Sequence, residues 1–439
     1  MFYWFVVLVV GFLVRSDFYG ITSVVRALSL PPGTYCLLLH FFHSSTFAVA
    51  GLFLCWQTWV MQSSITCVVN GRQVMILDHT NSVKDARKMP EVKTIHQDSE
   101  TASKPSYFRG HKWSCISLLV ESAVKCFSLP LWAEIHPSDS KESMAVRPVI
   151  KAIEIARHFE IESYLVVDAF FAIGPVFLKA LASEGLLHIV TRAKKNIVAY
   201  KAPPAKTGKR GAPCKYGKKI KLTPLFDRKI KKFKTIEAKI YGHTEKIKYI
   251  VMDLIWKPVK QTLRFFLVKS SKGCIIIMSS DLKMDVQTAC LLYCRRATIE
   301  TFFSVLKNLL GGMRYHFWSK YLQPVSRKPR KNETAPVSLN PVKTGVTLTA
   351  IEKYMALHVI VVGIVQLLAI KAPKEMIAKA KCWQRTNGSR EHPSPFVVVA
   401  AMRNIFTGLL SGFGKNWIYA IIRSKRKNRP IPLKYRIAA

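Results

Sequence analysis

The chain has 439 residues, of which 49% are hydrophobic. This composition excludes an intrinsically disordered protein, and the length suffices for about two or three packed units. Lys and Arg number 67 against 26 Asp and Glu, which gives a formal net charge of +41. Such a surface favours an anionic partner, most commonly nucleic acid, although an anionic membrane or a ribosome-like assembly would satisfy the same charge.

The first segment of the chain is strongly apolar. Residues 1–60 contain only three charged side chains, Arg15, Asp17 and Arg26. The run 1–14 is short for a bilayer span, which needs about 20 apolar residues. A second apolar run, 355–370, contains His358 and Gln366. We predict buried helices for both runs; a basic membrane protein with spans at these two places is the alternative.

The ten cysteines form no CxxC pair and no zinc-finger spacing. A chain of this size and composition does not need a disulfide framework to fold. We therefore predict reduced thiols and a cytoplasmic protein.

Two short apolar runs are each followed by an aspartate. Residues 74–77 precede Asp78, and residues 164–167 precede Asp168. Runs of this length and composition are typical of buried strands. Between them, residues 79–113 are polar and suggest a loop, and Pro148 fits the first turn of a helix. Strands and helices that alternate around the two aspartates predict an α/β core with some parallel pairing.

Residues 193–285 interrupt this alternation. From Lys194 to Lys234 there are fifteen Lys or Arg and a single acid, Asp227. Three apolar runs follow, at 249–256, 263–268 and 274–278. The pattern predicts a basic, β-rich insertion in the α/β core.

A long helix is predicted from about residue 286 to residue 310, ended by two glycines. It carries Tyr293, Arg296, Glu300 and Lys307, at offsets of 0, 3, 7 and 14. At about 100° per residue these positions fall within an arc of about 60°. One acid between basic and phenolic groups can bind a metal ion and phosphate oxygens. An exposed face with ion pairs one helical turn apart explains the same pattern when the helix is considered alone.

The helix spacing, Y-x2-R-x3-E-x6-K, resembles the signature of cut-and-paste insertion-sequence transposases with a DDE active site. The segment after Asp78, with His79 and Thr80, resembles the first-aspartate motif of this family, although position 79 is small in the expected pattern. Asp168 with Ala169, Phe170 and Phe171 resembles the second-aspartate motif. The resemblance extends over roughly residues 15 to 420.

This resemblance implies a ribonuclease-H-like catalytic core with a β-rich insertion, flanked by helical N- and C-terminal regions. It implies that Asp78, Asp168 and Glu300 are catalytic and hold two Mg²⁺ ions, for which Mn²⁺ can substitute. Such a pair of ions stabilises both ends of an in-line phosphoryl displacement. The implied reaction is cleavage of double-stranded DNA at transposon ends and strand transfer into target DNA, by a homodimer associated with the nucleoid and not with a membrane.

Further residues are expected to contact DNA. By the resemblance, Tyr293, Arg296 and Lys307 hold phosphates near the cut. The basic segment contributes Lys209, Arg210, Lys218 and Lys219, which could equally occupy a solvated loop. The segment 315–320 mixes aromatic and basic residues and could stack on an unpaired base, or pack at a helix terminus.

These expectations divide the chain into six regions, and they leave a catalytically inactive or domesticated DNA-binding relative as the second functional reading. The regions are 1–65, a helical N-terminal DNA-binding or packing region; 66–192, the first part of the core; 193–285, the basic β-rich insertion; 286–320, the helix with the catalytic Glu; 321–349, a linker; and 350–439, a helical basic C-terminal region.

Overall fold

A computed structural model describes residues 1–63, 65–96, 107–122, 125–138, 140–205, 214–228, 232–326, 337–383 and 392–412. The architecture is mixed α/β, as the sequence predicts. The chain forms two compact units. The helical unit comprises Met1–Leu54, Ala86–Pro90 and Ser304–Ala439, and the sheet unit comprises Cys55–Asp85 and Glu91–Phe303.

All the described strands belong to the sheet unit and join in one sheet of 13 strands. Each of the apolar runs predicted as a strand falls within one of them. The strands are β1 (Val68–Val69), β2 (Arg72–Val83), β3 (Lys93–His96), β4 (Tyr107–Glu121), β5 (Cys126–Ile135), β6 (Ser163–Val167), β7 (Leu187–Arg192), β8 (Val198–Tyr200), β9 (Lys219–Lys221), β10 (Lys234–Ile240), β11 (His243–Trp256), β12 (Gln261–Ser270) and β13 (Gly273–Ser279).

The centre of the sheet is a parallel trio, β2, β6 and β7. Ile76 of β2 pairs with Val166 of β6, which pairs with Val190 of β7. On the far side of β2, β4 pairs antiparallel with β2, and β5 pairs antiparallel with β4. The parallel strands are buried, which explains their continuous apolar sequence.

The insertion is β-rich, as predicted, but it is not a separate sheet. Its strand β13 pairs antiparallel with β7, and β12, β11 and β10 continue the same sheet. The insertion therefore extends the edge of the core that would otherwise end at β7.

The prediction of a loop over residues 79–113 is wrong in part. Strand β2 runs on to Val83 and β4 begins at Tyr107, with β3 between them. The sequence pattern did not predict this hairpin, because its two strands are joined by backbone pairing and lack an apolar stripe. Gly110 permits the close approach, since a Cβ there would lie 2.2 Å from the carbonyl oxygen of Ser82.

The predicted single helix over 286–310 is also wrong in its continuity. It consists of α8 (Val286–Arg295), α9 (Thr298–Ser304) and a π-helical turn (Val305–Leu309). Residues 296 and 297 form a tighter turn between α8 and α9, in which the amide of Arg296 donates to the carbonyl of Tyr293 at 3.3 Å. The α-helices that precede these are α4 (Val49–Met61), α5 (Val146–His158), α6 (Gly174–Leu181) and α7 (Leu225–Arg228).

Both apolar runs in the helical unit form helices with buried faces, as predicted. The helices of this unit are α1 (Phe2–Val14), α2 (Ile21–Ala27), α3 (Thr34–His43), α10 (Pro341–Lys371), α11 (Pro373–Ala380) and α12 (Pro395–Gly412).

Helix α10 overlaps the predicted linker 321–349, which is wrong at its C-terminal end. The side chain of Asn340 accepts a hydrogen bond from the amide of Lys343 at 3.0 Å, and Pro341 occupies the first turn, so the helix starts there. Among the described residues, α10 is the one helix long and apolar enough to cross a bilayer, and 83% of its apolar window is buried inside the protein.

Candidate active site

The two predicted aspartates lie at the same level of neighbouring strands. Asp78 follows Ile76 by two residues on β2, and Asp168 follows Val166 by two residues after β6. Because Ile76 and Val166 are paired in parallel, and paired strands lie about 4.8 Å apart, the two aspartates are brought side by side. Asp168 stands at its strand end, as predicted. Asp78 does not, since β2 continues to Val83; only its pairing with β6 ends before Asp78.

Each aspartate is oriented by a neighbouring backbone amide. The Oδ1 atom of Asp78 accepts from the amide of His79 at 2.7 Å. The Oδ1 atom of Asp168 accepts from the amide of Phe170 at 3.0 Å and so caps a short 3₁₀ helix, Ala169–Phe171. The capping role that a lone Asp often has is therefore real for Asp168. It fixes this carboxylate beside Asp78.

Arg296 connects the first aspartate to the glutamate. Its Nη1 donates to Oδ2 of Asp78 at 2.9 Å, and its Nη2 donates to Oε1 of Glu300 at 3.2 Å. The Arg296 and Asp78 side chains are 19% and 18% exposed, whereas Glu300 is 66% exposed. Arg296 is thus a half-buried cation that links strand β2 to helix α9.

The charges of this cluster are not balanced. Burial, followed by repulsion from Asp168, raises the pKa of Asp78 to about 6, although Arg296 lowers it. Burial also raises the pKa of Asp168. An opposing cation favours the charged form of a carboxyl group, and Arg296 lowers both pKa values without overcoming the effect of burial. By count, its one guanidinium contacts two of the three carboxyl groups, Asp78 and Glu300.

The donor set suits a hard divalent cation, since Mg²⁺ prefers carboxylate oxygens. In the described part of the chain, no three His, Cys, Asp or Glu side chains already converge as metal ligands. Glu300 instead points to Arg296. The fit is therefore to the Asp78 and Asp168 pair, with unbalanced negative charge, and one oxygen of Glu300, Oε1, is bound by Arg296.

The predicted polar stripe is assembled in part. Arg296 and Glu300 contact one another, and Tyr293 lies one turn before Arg296 on α8. Burial raises the pKa of the Tyr293 phenol, which remains neutral. Lys307 lies in the π-helical turn and in the helical unit, and the arithmetic of an α-helix does not apply through that turn.

A cleft of about 240 Å³ adjoins Arg296 within the sheet unit. Its lining includes Tyr293 and three residues that the sequence did not single out, Arg192, Tyr241 and Lys272. Tyr241 occupies the tip of the β10–β11 hairpin at a φ of 47°, which is rare for a bulky side chain. Gly242 between two strand-forming runs was the sequence feature that could have indicated this turn, because glycine is common in two-residue hairpin turns.

His79 packs against aromatic rings. Its ring lies 4.9 Å from that of Phe171 and 5.3 Å from that of Phe170. Burial and the nearby charge of Lys112 lower its pKa to about 3, so this histidine is neutral. The histidine at position 79 is larger than the residue expected there, and its ring packs against the two phenylalanines that follow Asp168.

Of the basic residues expected to bind DNA, Lys218 and Lys219 are exposed at the start of β9. Lys209 and Arg210 lie outside the described residues.

Residues 70–318 match a family model described as a transposase DDE domain. None of the curated proteins matches the chain. Among solved structures, a piggyBac transposase in a synaptic complex with hairpin DNA is 13% identical with a TM-score of 0.40, over 99% of this chain and 74% of that one. The NurA nuclease from Sulfolobus solfataricus is 9% identical with a TM-score of 0.24, over 56% and 81%. Neither score is high enough to define the fold of this chain.

Proposed function

The chain belongs to the transposase DDE domain family, and from this premise we propose that it cuts double-stranded DNA at transposon ends and joins those ends to target DNA. Transposition in general follows from the family. The catalytic assignment rests on the side-by-side position of Asp78 and Asp168, and on Arg296, which links Asp78 to Glu300.

We propose a ribonuclease-H-like core. The strand order β5-β4-β2-β6-β7 supports it, because an antiparallel meander is followed there by two parallel strands. The order also explains why the acids meet. The first strand of the meander, β2, is the neighbour of β6, so Asp78 and Asp168 lie close together although they are far apart in sequence.

Asp78, Asp168 and Glu300 would hold divalent cations, most naturally Mg²⁺ with Mn²⁺ as a substitute. Such ions, when bound, offset the charge that develops on the attacking and leaving oxygens of a phosphodiester. The chain's own contribution is orientation. Backbone amides fix one oxygen of each aspartate, and Arg296 offers a planar fork of donors suited to a phosphate.

Tyr293, Lys307, Lys218 and Lys219 would contact DNA phosphates, and so would Lys209 and Arg210. The net charge of +41 supports a long anionic partner. A homodimer is proposed for the DNA complex, since two transposon ends must be joined in one reaction.

The test is cleavage of a plasmid that carries the DNA flanking the coding gene, with Mg²⁺ or with EDTA. Asp168→Asn and Glu300→Gln should each reduce the cleavage rate by roughly 100-fold or more. Glu237→Gln, at an exposed position of β10, is the matched control and should cut like the unmodified protein. Equal cleavage by the Asp168 and Glu300 variants would show that the carboxylates are not catalytic. DNA binding without cleavage by the unmodified protein would instead identify an inactive relative.

A further inference from the structure

A short extended segment of the helical unit presents basic and aromatic side chains on one face. Successive residues of an extended chain point to opposite sides. Burial alternates strictly over residues 313–320. The buried members are Met313, Tyr315, Phe317 and Ser319, and the exposed members, called here the basic–aromatic ladder, are Arg314, His316, Trp318 and Lys320.

The ladder is held by a fixed backbone. The ring of Phe317 packs 5.5 Å from that of Phe42 and 6.0 Å from that of Tyr354. The amide of Ser319 donates to the carbonyl of Lys88 at 2.9 Å. Since the residues before and after Trp318 are anchored, the backbone that carries the exposed side chains is fixed before any ligand binds. The entropic cost of ordering this segment on binding is therefore small.

Trp318 is 67% exposed, although its immediate neighbours are buried. The sequence allowed this aromatic segment either to pack at a helix terminus or to stack on a base. Tyr315 and Phe317 pack, and Trp318 does not. A large ring kept in water on a rigid segment is suited to a flat partner.

A cleft of about 280 Å³ lies beside Trp318. Ligand sites of small molecules begin at about this volume. Lys320 places its Nζ 5.3 Å from the ring of Tyr321. The described residues that line the cleft include the basic side chains of His43, Lys320 and Lys343 and no carboxylate.

We propose that the ladder and this cleft form a second DNA site, which takes an unpaired stretch of the strand. One base stacks on Trp318, and the phosphates on either side meet Arg314 and Lys320. Arg314 lies four positions before Trp318 and Lys320 two positions after it, so the ladder has a cation on each side of the ring. Aromatic rings between basic groups bind single strands in this way, without reading sequence.

This inference rests on DNA being the substrate, but it needs neither the carboxylates nor a metal ion. A second copy of the chain is the competing occupant, because exposed apolar residues such as Leu339 and Val342 lie near the start of α10. Charge argues against it. Without DNA, two copies that each carry +41 repel one another where lysines line the contact, whereas DNA is attracted; in the proposed homodimer, bound DNA offsets this charge.

The experiment measures the affinity of full-length protein carrying Glu300→Ala for a short labelled oligothymidine, in EDTA, by fluorescence anisotropy. Trp318→Ala should weaken this affinity by about 5- to 150-fold, the range for loss of one stacked base. Trp318→Phe should retain most of it. Trp383→Ala is the matched control, since Trp383 is 89% exposed in the same unit and outside the ladder, and it should bind unchanged.

A fully paired hairpin of the same length should bind the Trp318 variant almost as well as the parent. Lys320→Gln should lower the salt dependence of oligothymidine binding by about 0.7 in the log–log slope, as expected for one phosphate contact on a single strand. Unchanged oligothymidine affinity of Trp318→Ala overturns the proposal. So does an equal loss with Trp383→Ala, or a change confined to self-association in sedimentation velocity. Absence of cleavage by the unmodified protein would contradict the catalytic proposal and leave this binding result intact.

Discussion

Replacing Arg296 with Gln should destabilise the metal-free protein and do so less when Mg²⁺ is present. The bond from Arg296 to Asp78 joins two charged groups at 2.9 Å, each about one-fifth exposed. A bond of this kind contributes about 1.5–3 kcal/mol. The bond to Glu300 contributes only about 0–0.5 kcal/mol, since that carboxylate is 66% exposed and screened by water. The expected loss in the free energy of unfolding is therefore about 1.5–3.5 kcal/mol in EDTA.

Magnesium should reduce this loss because it supplies the positive charge that the variant lacks. A ligand at about one hundred times its dissociation constant stabilises the folded state by about 2.7 kcal/mol. The variant, in which Glu300 is released from Arg296, should gain more than the parent. The assay is urea unfolding followed by tryptophan fluorescence, in EDTA and in Mg²⁺.

Arg264→Gln is the matched control. Arg264 forms an ion pair with Asp253 at 2.7 Å, and the two side chains are 22% and 40% exposed. This pair lies on β11 and β12, away from the aspartates. The loss in the free energy of unfolding caused by Arg264→Gln should therefore be the same with and without Mg²⁺. If Arg296→Gln and Arg264→Gln respond equally to Mg²⁺, the unbalanced charge at the aspartates does not bind the ion.

Two further predictions concern the sheet unit. Tyr164→Phe removes a 2.7 Å hydrogen bond to Asp281. Burial raises the pKa of Asp281, but the Tyr164 hydroxyl and the Lys283 amide lower it more, so that it lies below 3.8 in the folded protein. The stabilisation from this hydrogen bond is therefore present above pH 3.8 and is lost as the pH falls through the folded pKa. The variant should lose about 1.5–3 kcal/mol at pH 7 and progressively less as the pH is lowered below 3.8, measured by urea unfolding across this range, and a pH-independent loss would contradict the assignment. Gly110→Ala places a Cβ 2.2 Å from the carbonyl oxygen of Ser82 and should cost about 1–3 kcal/mol in thermal unfolding. Gly51→Ala, with no atom within 4 Å of its Cβ, should not destabilise, and equal melting of both variants would show that the β2–β4 approach is not tight.

The parallel core was predictable because its signal is local. Strand β6 is buried at every position, so its apolar run identifies it without knowledge of its neighbours. The second half of β2 gave no such signal, since Asp78 to Val83 are mostly polar and are held by backbone pairing with β4. Its close approach to β4 requires Gly110, 27 residues after Val83, and the windows of about 11–18 residues used to detect periodicity do not contain both.

In the candidate site, too, contacts within one helix could be predicted and contacts between distant segments could not. Spacing on one helix could predict that Arg296 and Glu300 are neighbours, since they are four residues apart. It could not predict the interruption at residues 296–297 or the π-helical turn that holds Lys307. Nor could it find Arg192, Tyr241 and Lys272, which three different strands and hairpins bring to the cleft beside Arg296.

The contacts of Arg296 go beyond those of an exposed helix face, which is one of the two readings of the helix pattern. An exposed helix face with ion pairs one turn apart requires Arg296 to lie in solvent and to meet only Glu300. The pair is present at 3.2 Å, as that reading expects. Yet Arg296 is only 19% exposed, and it also reaches Asp78, 218 residues earlier in the chain. A solvated pair gives no reason to bury the arginine against a distant strand. The contact with Asp78 does, because Arg296 then bridges the carboxylates of Asp78 and Glu300.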